Sequence, residues 1–428
     1  MLHESIYKLG IRFRNSKINK NLEFLKKSQF WSIEQLQAYQ LDRLKEILAI
    51  AYAGSPYYTE LFDRVGFKPT DIKSLSDITS IPTTGKAALL DNCPKIQQEI
   101  DDEKSYFTET SGSTGKPLVF YRNQDWDGWH NASVIRGYSW FDIAPWDRNG
   151  YLWGYNLSPL EAFKTKLLDG LQNRFRLFSY SDEEIVRFSH KLKKAKYLHG
   201  YSSMIYEIAK YVDRHPDLKR QIDLKLIKGT SEKIFDSYRE KVFSAFGEKV
   251  TSEYGAAEAG IIAFECPQGN MHINMETVVV EAVEKNIVIT NLVSNSFPII
   301  RYELGDYIEL DLDTRCSCGR EAYIIKEVTG RVGKRIFGLT QSYPSFTLYY
   351  IFKNIAIKHG IKLNFQAVQK VKGELEFRIE KKLSDEQKQF ITGEIKNYFG
   401  EDISYRIKDE ETLISRNGKF KDFVSDLD

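Results

Sequence analysis

Hydroxyls, glycines and one lysine run together at Thr110-Ser111-Gly112-Ser113-Thr114-Gly115-Lys116-Pro117, a stretch whose residue types suit a loop that holds a polyphosphate. Glycine lets backbone N–H groups close on anionic oxygens, the hydroxyls donate further hydrogen bonds, and Lys116 adds a positive charge. Only Ser113 and Thr114 separate Gly112 from Gly115, whereas the P-loop pattern needs four residues between its glycines, so a different nucleotide fold is implied. A plain polar turn has the same composition. The rest of the chain has to decide between the two.

A second set of residues could bind metal. Cys266 and His272 form C-x5-H, and Cys316 and Cys318 form C-x-C fifty residues after Cys266. Three thiolates and an imidazole would fill a closed, structural zinc shell. The spacing is not that of a zinc finger, and reduced thiols beside a surface histidine are the alternative. Cys93 stands outside the set. Four more segments carry chemistry in a suggestive order: Ser252-Glu253-Tyr254-Gly255-Ala256-Ala257-Glu258, Arg301-Tyr302-Glu303-Leu304-Gly305-Asp306, Gly330-Arg331-Val332-Gly333-Lys334 and Asn417-Gly418-Lys419-Phe420.

Positioning these residues takes an α/β framework. Residues 31 to 62 place apolar side chains at helical spacing, with Ser32 able to cap the start. Tyr106-Phe107-Thr108 and Pro117 to Tyr121 predict extended structure on either side of the phosphate loop. Helical spacing over 183–195, 203–212 and 234–246 alternates with short apolar segments at 224–227 and 250–254. From about 273 the pattern becomes strand-rich, with TVVVEAV, NIVITNLV, PIIRYEL and DYIELDL. The last ninety or so residues mix strands such as LEFRIE with the helix-like DEQKQFITGEIKNYF, which suits a small α+β cap.

The chain has 428 residues, which predicts at least two domains at roughly 100–200 residues each. Lys plus Arg number 61 against 59 Asp plus Glu, so bulk charge gives no reason to expect nucleic acid as a partner. Four cysteines are too few for a disulfide scaffold of this size. The N-terminal residues lack the continuous apolar core of a secretory signal, and no run reaches the roughly 20 apolar residues of a spanning helix. A cytoplasmic protein acting on a small molecule is the expectation. The excess of basic residues among the first 30 reads as a solvated helix face.

The order of these motifs resembles the adenylate-forming enzymes, most closely the phenylacetate-coenzyme A ligase family and its relatives from capsular polysaccharide clusters. The resemblance runs from SPYYTELFDRVG and IPTTGK through TSGSTGKP, GTSEKIFDSYREK, EYGAAEAG, FECPQGNMHI, IRYELGD, CSCGR and GRVGKRIF to NGKF. It implies a large N-terminal adenylate-forming domain over 1–333 and a small mobile α+β domain over 334–428. On matching positions, Thr110 through Lys116 become the phosphate loop and Glu258 the carboxylate that holds magnesium. Gly229, Thr230, Ser231, Glu232, Tyr254 and Gly255 surround the adenine, Asp306 and Arg331 serve the ribose side, and Lys419 stabilises charge as pyrophosphate leaves. The resemblance also favours zinc on Cys266, His272, Cys316 and Cys318.

The implied reaction joins a small carboxylic acid to ATP with magnesium, then passes the acyl group to coenzyme A or to an amine or sugar hydroxyl. The sequence departs from the family at Ala257, where a hydroxyl residue usually precedes the acid, at Gly333-Lys334 in the hinge, and in FGLTQSYPS, which lacks the usual Arg-Gly and Asn. A nucleotide-binding scaffold without turnover is therefore the competing reading. Trp126, Trp129, Trp153 and Tyr155 are candidates for an aromatic acid pocket, with core packing as the alternative.

Overall fold

The computed structural model describes residues 2–99, 104–110, 118–152, 159–177, 182–331, 335–345, 347–413 and 421–427. Ser32 caps its helix as expected: its Oγ accepts the Gln35 N–H at 3.4 Å, and Gln35 Oε1 accepts the Ser32 N–H at 3.0 Å. The helical stretch divides into Ile33–Gly54 and Pro56–Arg64. Pro56 has no N–H to continue the first helix but suits the opening turn of the second, where Ser55 is the cap.

Among the described residues, eleven strands form one sheet. Its parallel part runs Val250–Ala256, Leu226–Thr230, Tyr197–Tyr201, Asn149–Leu152 and Arg174–Arg176. Its antiparallel part continues from Val250–Ala256 through Gly260–Glu265, Met271–Ile273, Ile324–Arg331, Tyr302–Asp311, Asn286–Asn291 and Val278–Val283. One face of the parallel part is apolar. Leu152, Leu198, Ile227 and Val250 pack there with Ile205 and Ile208 of the helix Ser202–Asp213. The opposite face is left for polar side chains.

Beyond residue 335 the chain builds a separate four-stranded sheet covered by the helices Thr347–His359 and Asp385–Phe399. Its core, with Ile351, Phe365, Phe377 and Ile395, also takes in Phe235 and Tyr238. Lys210 Nζ meets Glu380 at 2.7 Å and Tyr206 donates to the same carboxylate at 3.0 Å. The α/β class and the α+β C-terminal layer are as expected, while the domain boundary at 333/334 lies outside the described residues. No helix among the described residues is long and apolar enough to cross a membrane. The N-terminal helix Leu2–Arg14 exposes Leu2, Leu9 and Phe13 as well as its charged side chains.

Candidate active site

A cavity of about 1530 Å³ opens over the polar face of the sheet, at the switch from parallel to antiparallel pairing. Thr110, Thr230, Ser231, Gly255, Glu258 and Asp306 all line it. The strands Tyr106–Glu109 and Val119–Arg122 pair antiparallel on either side of the segment expected to be a phosphate loop, with Thr110 on the cavity wall and Leu118 N–H donating to Thr110 Oγ1 at 2.9 Å. Ser111 through Pro117, and Lys419, lie outside the described residues, as does the Arg331 side chain.

Glu258 is buried, and its Oε1 accepts the Tyr302 hydroxyl at 3.2 Å. Asp306 Oδ2 accepts the Tyr254 hydroxyl at 2.8 Å, so the two residues assigned to ribose and adenine are linked directly. Gly255 is needed here for close approach: a Cβ on it would lie 2.5 Å from the Gly260 carbonyl oxygen across the hairpin. Gly229 likewise lies against the Ser202 hydroxyl. Glu232 turns its carboxylate to the Ser203 N–H at 2.9 Å, where it serves the start of the Ser202–Asp213 helix. Glu232 is not among the residues that line the cavity. Ala257 does line it and supplies no hydroxyl.

Sequence reading missed the other lobe of the cavity. Cross-strand register puts Tyr151, His199 and Lys228 in one row and Tyr201, Thr230 and Glu253 in the next. These residues, with Tyr197, share the face opposite the apolar one. The signal was the period-two alternation in Tyr197-Leu198-His199-Gly200-Tyr201. Above this floor, the helix Gln124–Ser139 contributes His130, Asn131 and Tyr138, and the N-terminal helix contributes Tyr7, Ile11 and Arg14.

Two polar interactions organise the floor. Lys228 Nζ meets Glu253 Oε2 at 2.7 Å, with side-chain exposures of 5% and 7%. His199 Nε2 and Asn149 Oδ1 lie 3.2 Å apart; because the Asn149 Nδ2 donates to the Asp147 carbonyl, Oδ1 is the acceptor and Nε2 carries the proton. The Tyr138 hydroxyl then donates to Nδ1 at 3.2 Å. Burial, reinforced by Lys228, Arg174 and Arg176, pushes the His199 pKa well below the usual imidazole value and keeps it neutral. His130 is pushed down to about 3 by burial and then by Arg122, Lys228 and Arg14. Trp126 and Trp129 do not line the cavity: both are buried in the main core, where Trp126 stacks on Phe120 and Trp129 meets Phe24 edge-on. Trp153 and Tyr155 lie outside the described residues.

Away from the cavity, Cys266, His272, Cys316 and Cys318 converge, with one ligand atom from each lying within 4.8 Å of all the others. Cys266 Sγ and Cys316 Sγ are 3.7 Å apart, and Cys318 Sγ lies 3.2 Å from His272 Nε2. His272 Nδ1 lies 3.1 Å from the Ala322 carbonyl, to which it donates, so the Nε2 lone pair faces the thiols. Burial raises the Cys266 thiol to about 12 and lowers His272 to about 4. Register pairs His272 with both Phe264 and Ile324, so the cluster fastens the 316–318 loop to the centre of the sheet. This donor set fits zinc: soft thiolates with one imidazole, a tetrahedral count, and a hydrogen bond that fixes the tautomer.

No family model matches the chain. It is 38% identical over 128 residues to a phenylacetate-coenzyme A ligase of Escherichia coli (strain K12), a match covering 29% of each chain. A second such ligase, from Aromatoleum evansii, is 41% identical over 106 residues, 24% of each chain. The matched stretch thus spans less than a third of these relatives. Protein CapK of Staphylococcus aureus is 24% identical over 316 residues, covering 68% of this chain and 67% of CapK. Among solved structures, 2-hydroxyisobutyryl-CoA ligase in its postadenylation state, in complex with 2-HIB-AMP, superposes with a TM-score of 0.73 at 17% identity, covering 94% of this chain and 92% of that one.

Proposed function

Because the chain is a relative of the phenylacetate-coenzyme A ligases and has the fold of an adenylate-forming ligase, we propose that it activates a carboxylic acid with ATP as an acyl-adenylate and passes the acyl group to coenzyme A. The observation that carries this reading is the single cavity that joins Thr110, Glu258 and Asp306 to a second lobe large enough for an acid. Glu258, a buried carboxylate on the cavity wall, offers the hard oxygen ligand that magnesium prefers. Magnesium, when bound, neutralises phosphate charge. Asp306 orients the ribose, the phosphate loop donates to the phosphates, and the buried walls exclude water from an anhydride that water would hydrolyse. Bringing two anions together is the main barrier, and Lys116 and Lys419 lower it as cations.

Zinc held by Cys266, His272, Cys316 and Cys318 has a structural role in this account. The motif resemblance to relatives from capsular polysaccharide clusters leaves an amine or hydroxyl acceptor as a second reading. Incubation with ATP, magnesium and a pool of acids, followed by mass spectrometry of the protein-bound fraction, tests the activation step. An acyl-AMP that disappears in Glu258→Gln is expected; a protein that binds ATP but forms no adenylate with any acid is the scaffold reading.

A further inference from the structure

The second lobe of the cavity carries more positive charge than an apolar acid requires. Arg14, Arg122, Arg174 and Lys228 line the cavity, and among the described lining residues of the sheet floor the only acid is Glu253, already paired with Lys228. The remaining acids on the wall, Glu109, Glu258, Glu303 and Asp306, belong to segments on the nucleotide side. Arg174 lies over the Tyr151 ring at 4.5 Å and shares its only nearby acid among the described residues with Arg176. Asp169 gives its two oxygens to Arg176 at 2.9 and 3.0 Å, leaving Arg174 Nη1 at 3.8 Å, beyond hydrogen-bond length.

Three nitrogens of these lining residues, Arg174 Nε, Arg122 Nε and His130 Nδ1, are buried and have no hydrogen-bond partner among the described residues. Leaving a buried donor unsatisfied is costly, so such atoms are expected to meet a ligand or water. The charges acting on the His130 and His199 imidazoles come from arginines and Lys228 alone. Buried Asp127 answers Arg14 at 3.4 Å and acts on Arg122 as well, so Arg174 is the cation that an apolar acid would leave with no counter-charge at hydrogen-bond distance among the described residues.

We propose that the acid activated here carries a second anionic group, a carboxylate or a phosphate, and that Arg174 receives it while the reacting carboxylate points toward Glu258. This rests on the reading of the cavity as an acid-activating site. Ion pairing by the largely buried Arg174 guanidinium gives both affinity and discrimination, because a neutral analogue leaves the cation without that partner.

The test uses the full chain and probes that differ by one charge. Succinate, glutarate and adipate are titrated calorimetrically against the corresponding mono-amides without ATP, so that no turnover is needed. At least one dianion should bind tenfold or more tightly than its mono-amide. The preference should fall to about one in Arg174→Gln and be retained in Arg174→Lys. Equal binding of every dianion and its mono-amide overturns the proposal, as does a preference that survives in Arg174→Gln, which would place the anion in the nucleotide lobe. The same acids are then tried with ATP and magnesium. Dianion preference at Arg174 without adenylate formation supports this inference and contradicts the activation reading. Efficient activation of phenylacetate or pentanoate above every dianion does the reverse.

Discussion

Removing either partner of the Lys228–Glu253 pair should destabilise the protein far more than removing both. The two side chains are 5% and 7% exposed and 2.7 Å apart, and Lys228 also sits 5.1 Å from the centroid of the Tyr138 ring. Lys228→Met leaves a buried carboxylate uncompensated, and Glu253→Leu leaves a buried ammonium; each is expected to cost about 3–5 kcal/mol. The double variant Lys228→Met/Glu253→Leu removes the desolvation cost along with the attraction and should fall within about 1–2 kcal/mol of the parent. The coupling in this double-mutant cycle is therefore several kcal/mol, readable from urea midpoints followed by fluorescence of the tryptophans. Lys228 also depresses both neighbouring imidazoles, so its removal should move His130 upward from about 3 in an NMR titration. Additive single-variant effects would refute the pairing and leave Lys228 available to a ligand.

Metal analysis of protein purified without added metal should find one zinc per chain. Chelation should remove about 4 kcal/mol of stability when zinc stands about a thousandfold above its Kd, and Cys316→Ser should lower thermal stability before it changes ATP affinity. Glu376 is held down to about 2, chiefly by its hydrogen bond from Arg378 and further by Lys408. A depressed folded-state pKa contributes stability above the usual carboxylate range that is lost as pH falls through it toward 2. Glu376→Gln should thus cost about 1.5–3 kcal/mol at pH 7, with the gap to the parent closing in thermal melts between pH 5 and about 2. Lys419→Ala should slow adenylation about 100-fold, roughly 2.7 kcal/mol, while ready-made acyl-AMP is still consumed; equal loss in both half-reactions would contradict that division.

The framework was legible where one physical rule governed a segment. Ser32 announces the start of its helix, where the structure adds Gln35 to complete a capping box, and the spacing in DEQKQFITGEIKNYF is realised as the helix Asp385–Phe399. The cysteine–histidine cluster was legible as a candidate because those four residues stand in two compact motifs, although only the fold brings Cys266 and Cys316 to 3.7 Å. Two expected strands, PIIRYEL and DYIELDL, became one, Tyr302–Asp311. Gly305 carries a positive φ within that strand, and Arg301 has φ 43° just before it, with its guanidinium on Glu281 at 2.8 Å. The second lobe of the cavity was the least legible part. Tyrosine and histidine in strands serve cores as readily as cavities, and only the pairing register assigns Tyr151, His199 and Lys228 to one face.

Acid-dependent exchange of labelled pyrophosphate into ATP tests the central claim most directly, because it requires reversible formation of an acyl-adenylate and no acceptor. The account predicts exchange that needs magnesium and an added carboxylic acid and falls at least about 100-fold in Glu258→Gln. Exchange that proceeds without acid, or survives Glu258→Gln undiminished, would contradict it.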